Sequence, residues 1–376
     1  MQTRVARWGA VAAYGSAAAA NQLLWLTYAP VTTDAARHYG VSEATVGWLS
    51  QVFPLLYVVL AIPAGLALDR RFRGSLLLGA WLTALGGAVR LAGDTFAVAM
   101  AGQLLVAIAQ PLVLNAITKL VAASLPSPSH ALGISLASAG IFAGTAIALV
   151  LGPALASADD FTPLLVVDVV VAVVAAAALS LALRRVASEP GAAVAVVRHE
   201  LREVWEDRLV RRVTGVAFLG FGIFVALTTW LQALLEPAGV SDAEAGWLLA
   251  AMVVAGVAGS AALPEAVARR GAELRFLRAA AIVAAAGCAL LAVLPGARWV
   301  AIAPMGVMLL ASLPVILELT ERRAGAAAAS ATSLVWMAGN AGGIVVALAV
   351  QAAVDTPAVG FGLMAAVALL VLPLTR

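Results

Sequence analysis

Twelve apolar runs divide this chain, and they constrain its fold more than any other feature. Each is about as long as an α-helix must be to cross a bilayer, roughly 20 mostly apolar residues. They lie near 9–33, 44–68, 74–92, 96–123, 130–156, 162–184, 212–236, 243–268, 274–294, 298–320, 326–353 and 357–375. Hydrophobic residues make up 63% of the sequence and charged residues 11%, against about 45–50% and about 25% in soluble domains. Mean hydropathy is +1.01. A water-soluble core cannot enclose that much apolar surface, so the excess faces lipid. The runs are rich in Ala, Leu and Val and lack period-2 alternation, which favours helices over a barrel of strands. The expectation is an all-α membrane protein with twelve transmembrane helices.

Charge sets the orientation, because cytoplasmic loops retain the arginine and lysine excess. With the N terminus inside, 20 of the 23 basic residues fall at cytoplasmic ends, and only Arg37, Arg90 and Arg298 fall outside. The outer loops are acidic instead, with Asp34, Glu43, Asp94, Asp159, Asp160, Glu236, Asp242, Glu244 and Asp355. Such a split needs an even number of spans and puts both termini in the cytoplasm. The pI near 9.5 reflects this inner belt and not a nucleic-acid surface. The first run is too long for a cleavable signal peptide. The Arg and Ala bias, with Lys119 the single lysine, points to a GC-rich bacterial genome and hence to the inner membrane.

The chain also repeats. "GVSEATVGWL" begins at Gly40 and "GVSDAEAGWL" at Gly239, an offset of 199; at that offset "RR" at 70–71 also meets "RR" at 269–270. Both ten-residue stretches lead into a span from the same side. Two six-helix halves follow, 1–184 and 212–376, related as parallel repeats. A polar cytoplasmic linker with an amphipathic helix joins them over 185–211.

Two such halves, with the loop "GLALDRRFRG" at 65–74, resemble the major facilitator superfamily. Its loop signature is a glycine, three residues, an aspartate and then basic residues. The resemblance implies a conformational latch formed by Gly65, Asp69, Arg70, Arg71 and Arg73. Asp69 could pair with arginines or cap a neighbouring helix end. The second half has Ala268 in place of that aspartate.

Polar groups inside spans are costly and usually face the bundle interior. In "NQLLWLTYAP" (21–30), Asn21, Trp25 and Tyr28 follow i, i+4, i+7 spacing, which places them on one face of a continuous helix. The fourth span offers Gln110, Asn115 and Pro111, whose missing N–H frees a carbonyl. The seventh has Thr229 and Trp230, and the eleventh has Trp336 and Asn340. These nine residues, Pro111 aside, are the candidate substrate contacts. An amide in a membrane helix also serves simply to bond a neighbouring helix, an equal expectation for Asn115 and Gln232. Trp8, Trp48, Trp205, Trp247 and Trp299 suit the interfacial belt.

Carboxylates within spans are few. Asp168 in the sixth is the candidate for proton coupling, while Glu265 and Glu318 sit near span ends. The set of aromatic and amide groups suits a neutral solute or an organic cation, because ring faces attract quaternary ammonium. Cys288 is the single cysteine, which excludes an internal disulfide, and His38, His130 and His199 lack ligand spacing. No metal, cofactor or enzyme motif is expected. The implied partners are a small-molecule substrate and the lipid bilayer, with the protein a monomer.

"NQLLWLTYAPV", "YGVSEATVGWLS", "AIAQPLVLNAITKLVA" and "LELTE" together resemble the feline leukaemia virus subgroup C receptor-like transporters, solute carrier family 49. That resemblance implies an alternating-access facilitator of choline or ethanolamine. Its pocket would use Asn21, Trp25, Gln110 and Asn340, the last where the family has glutamine. A family tyrosine on the seventh span maps to Thr229, beside Trp230. The competing expectation is a proton-coupled exporter of the same fold, or a non-transporting receptor.

Overall fold

The computed structural model describes residues 4–184, 194–324 and 327–376. Residues 185–193 of the expected linker lie outside the described residues. Among those described, all regular structure is helical, and eleven helices are long and apolar enough to cross a membrane.

Two compact units divide the chain. The first takes 1–200 with Ala326–Ser333; the second takes Leu201–Gly325 with Leu334–Arg376. The first contains α1 (Arg4–Trp25), α2 (Thr32–Tyr39), α3 (Glu43–Arg70), α4 (Phe72–Arg90), α5 (Phe96–Leu114), α6 (Ile117–Ser124), α7 (His130–Leu155) and α8 (Thr162–Leu183). Then come α9 (Val194–Glu206), α10 (Arg208–Leu235), α11 (Asp242–Arg269), α12 (Glu273–Val293), α13 (Arg298–Ala324), α14 (Ala328–Gln351), α15 (Pro357–Leu369) and α16 (Val371–Leu374).

The repeat is visible in how helices start. Gly40 and Gly239 have φ of 65° and 77°, a left-handed conformation that suits glycine. Two residues later Ser42 and Ser241 cap the next helices, their side chains accepting from Thr45 N and Glu244 N. Trp48 and Trp247 follow and are exposed, as an interfacial belt requires. Further glycines let helices cross closely. A Cβ on Gly144 (α7) would meet the Ala19 carbonyl of α1, and one on Gly342 (α14) the Phe218 carbonyl of α10.

Three expected spans are not single helices, one being 357–375, which is divided into α15 and α16 at Leu370. The run at 9–33 ends its helix at Trp25, and the chain turns through a 3-10 segment, Ala29–Val31, into α2. Pro30 is the physical reason: it has no N–H for the Leu26 carbonyl, which takes the Ala29 N–H in a tighter turn instead. The run at 96–123 is α5 followed by α6, broken at Asn115–Ala116. Pro111 removes the N–H that the Ala107 carbonyl would take one turn back, which weakens the ladder near the break.

Candidate functional site

Because α1 stops at Trp25, Tyr28 does not share a helical face with Asn21 and Trp25, and that expectation is corrected. Tyr28 is fully buried. Its hydroxyl lies 3.2 Å from that of Tyr39, and its ring packs on Phe161 at 6.0 Å. It belongs to an aromatic core with Val31, Val46, Leu49 and Phe161. Asn21 is fully buried too. Its amide donates to Thr83 Oγ1 (3.0 Å) and to the Val106 carbonyl (3.3 Å), which ties α1 to α4 and α5.

Trp25 is only half-buried. Its indole N–H donates to the Ser50 carbonyl at 3.0 Å, and its ring lies tilted against Phe53 at 5.8 Å. The acceptor follows from sequence. In an α-helix Ser50 O would bond the N–H of residue 54, but Pro54 has none. The freed carbonyl takes the indole, whose ring remains partly exposed.

At the break after α5, Asn115 accepts from the Tyr57 hydroxyl (2.6 Å) and donates to the Ala61 carbonyl (3.0 Å), so it bonds to α3. Gln110 differs. It is 3% exposed, and no side-chain hydrogen bond joins it to another described residue. Of the first unit's five candidates, Trp25 is the one only half-buried, Gln110 has no such bond, and Asn21 keeps an unpartnered Oδ1.

In the second unit, Thr229 is exposed and its hydroxyl turns back to the Val225 carbonyl. Trp230 packs on the unit's apolar core and donates to the Ala347 carbonyl at 2.9 Å. Trp336 is 4% exposed and meets Phe221 edge-on at 6.1 Å. Asn340 donates to the Trp336 carbonyl one turn earlier. Phe221 and Phe53 are not among the sequence candidates; their only sequence signal is an aromatic ring within a span.

Asp168 is completely buried in α8, where Arg90 Nη2 donates to its Oδ2 at 3.1 Å. Thr27 donates to the same oxygen at 2.6 Å. Arg90, expected at the outer end of the third span, is the last residue of α4 and 2% exposed. The reason is electrostatic: an arginine inside apolar surroundings requires a counter-charge, and Asp168 is the buried carboxylate beside it. A charge tally by loops could not reveal this; pairing the two intramembrane charges could.

Asp69 lies 1% exposed at the end of α3. Its two carboxylate oxygens accept from the backbone N–H groups of Ala329 (3.1 Å) and Ser330 (2.8 Å), the first turn of α14. A carboxylate there satisfies unpaired amides and complements the helix dipole. Lys119 supplies the cation at 3.1 Å. Arg70 and Arg71 are exposed and Arg73 half-buried; among the described residues none of the three pairs with Asp69. Gly65 permits this approach, since a Cβ there would stand 2.7 Å from Ser330 Cα and Ser333 Oγ.

The sequence profile of the Major Facilitator Superfamily matches residues 12–347. This chain belongs to the major facilitator superfamily. Membership makes it a multi-pass membrane protein of a transporter superfamily. Among characterised sequences it is similar to solute carrier family 49 member A3 of Danio rerio, 32% identical over 290 residues, covering 73% of this chain and 61% of that protein. It is also similar to the choline/ethanolamine transporter FLVCR1 of Felis catus, 33% identical over 139 residues, covering 36% of this chain and 25% of that one. The chain thus spans less than two thirds of these relatives' length. The superfamily transporter FucP, solved in an outward conformation, shares the fold with a TM-score of 0.75 at 17% identity, over 97% of this chain and 99% of that one. A bacterial homologue of the iron transporter ferroportin, in an outward-facing state, does so with a TM-score of 0.77 at 14% identity, over 98% of each chain.

Proposed function

We propose that this superfamily member is an alternating-access uniporter of choline or a related small amine, with twelve spans and both termini cytoplasmic in a bacterial inner membrane. The observation that carries the reading is Trp25: a half-buried indole within a span, held by its N–H and still partly exposed; a cation would take its ring. Gln110 is its polar companion. Similarity to proteins named choline/ethanolamine transporters supports the substrate class.

Uptake of radiolabelled choline into proteoliposomes, with and without an imposed pH gradient, tests the reading. Saturable uptake indifferent to the gradient is expected. Dependence on it would favour the second reading, proton-coupled export, for which the buried Asp168 is the supporting observation. Absence of flux for any amine would remove the proposal. Replacing Trp25 with alanine should weaken choline binding roughly 30-fold, because a desolvated cation–π contact contributes about 2 kcal/mol. Trp25→Phe should retain part of that affinity. Thr229, Trp230, Trp336 and Asn340 of the second unit are tested one at a time in the same assay.

Asp69, Gly65 and the neighbouring basic residues are proposed as the latch. Asp69→Asn removes the charge from a helix-start cap that contributes about 1–2 kcal/mol. Choline affinity should be unchanged and the maximal uptake rate lowered. An unchanged rate would dismiss the latch.

A further inference from the structure

Four side chains inside the first unit form one connected hydrogen-bond network, and it ends on the backbone of Trp25. Gln103 (α5) donates through Nε2 to the carbonyls of Trp25 (3.3 Å) and Leu49 (3.1 Å). Its Oε1 accepts from Arg90 Nη1 at 3.4 Å. The same Arg90 nitrogen donates to Thr27 Oγ1 at 2.9 Å, and Thr27 donates onward to Asp168 Oδ2. Gln103, Thr27, Arg90 and Asp168 are all at most 2% exposed.

The Trp25 carbonyl needs such a donor. In a continued helix the Ala29 N–H would bond it, but here Ala29 N bonds Leu26 O at 3.1 Å. A helix-end carbonyl left without a partner in a dry interior is costly. Gln103 satisfies it and, through Leu49 O, joins it to α3. The next carbonyl of α3, Ser50, holds the indole N–H. Main chain and side chain of Trp25 are thus fixed to adjacent residues of one helix, the first through Gln103 and the second directly.

Space for the network is made by glycines. The stem of Arg90 crosses Gly102, where a Cβ would collide with Arg90 Cγ and with the Gly86 carbonyl. Arg90 therefore reaches Gln103 and Asp168 along a path that larger residues would close.

We infer that Gln103, backed by Arg90 and Asp168, is a positioning residue that sets the angle at which the Trp25 ring is presented to substrate. The assignment rests on the reading of Trp25 as a substrate contact, but its geometry can be tested without substrate. It gives the buried ion pair a task at the binding end of α1.

The full chain labelled with fluorotryptophan provides the test by fluorine NMR. The Trp25 line is identified by its loss in Trp25→Phe, and the Trp247 line of the second unit serves as an internal control. In Gln103→Leu the Trp25 line should shift or split while the Trp247 line stays in place. Choline affinity should fall about tenfold, the equivalent of one lost hydrogen bond of about 1.4 kcal/mol. Gln103→Glu keeps an acceptor for Arg90 but loses the two N–H donors; it should behave like Gln103→Leu, and it covers the case in which the leucine variant does not fold. A Trp25 line unmoved in either folded variant overturns the inference. A line that moves, with choline affinity unaltered by both Gln103→Leu and Trp25→Ala, supports the positioning and overturns the functional reading instead.

Discussion

Arg90→Met is expected to destabilise the protein by about 3–5 kcal/mol, the usual consequence of stranding one member of a buried ion pair. Asp168 has no exposure to water, and after the substitution only the Thr27 hydroxyl would remain on its Oδ2. One neutral hydrogen bond does not offset a desolvated carboxylate. The variant Arg90→Met combined with Asp168→Leu should recover most of the loss, because apolar replacement of both partners at similar volume is often close to neutral. Thermal unfolding of detergent-extracted protein, monitored by size exclusion, gives the comparison as a double-mutant cycle. A loss in the double variant equal to the sum of the losses in Arg90→Met and Asp168→Leu alone would show that the pair is not coupled.

Gly144→Val and Gly342→Val should each abolish most folded yield. At both sites the added side chain meets the backbone of a crossing helix, Ala19 in α1 and Phe218 in α10. Backbone cannot rotate away as a flexible side chain can. The helices must separate, and overpacking of this kind costs about 1–3 kcal/mol or more. Gly220, in the middle of α10, has nothing within 4 Å of the point where a Cβ would stand. There alanine should raise stability by about 0.5–1 kcal/mol, through helix propensity alone. Membrane yield and melting temperature of the three variants read this contrast. A normal melting temperature for Gly144→Val would mean that the α1–α7 crossing tolerates separation.

These two predictions mark what the sequence can and cannot disclose. Span positions, the duplicated Gly-Val-Ser starts and the belt tryptophans are local signals, each decided within a few residues. The ion pair joins positions 78 residues apart, and Asn21 bonds Thr83 across 62. Periodicity indicates that Asn21 faces inward but cannot say whether a solute or another helix awaits it. Tyr28 escapes a periodicity argument because one proline at position 30 ends a helix whose apolar pattern continues. Trp25 is legible as an unusual residue within a span; that Pro54 would free its acceptor depends on the juxtaposition of α1 and α3.

Asp69 also bears on how the chain is made. Its capping partners, Ala329 and Ser330, lie 260 and 261 residues downstream. At about 5–20 residues per second, a ribosome takes roughly 10–50 s to deliver them. Once Lys119 is made, 50 residues after Asp69, the first unit waits with the Asp69 carboxylate accompanied by Lys119 alone among the partners described. The first half of the protein is therefore among the earliest parts synthesised and among the last completed, so truncated or stalled chains would carry an unfinished unit for quality-control proteases to recognise.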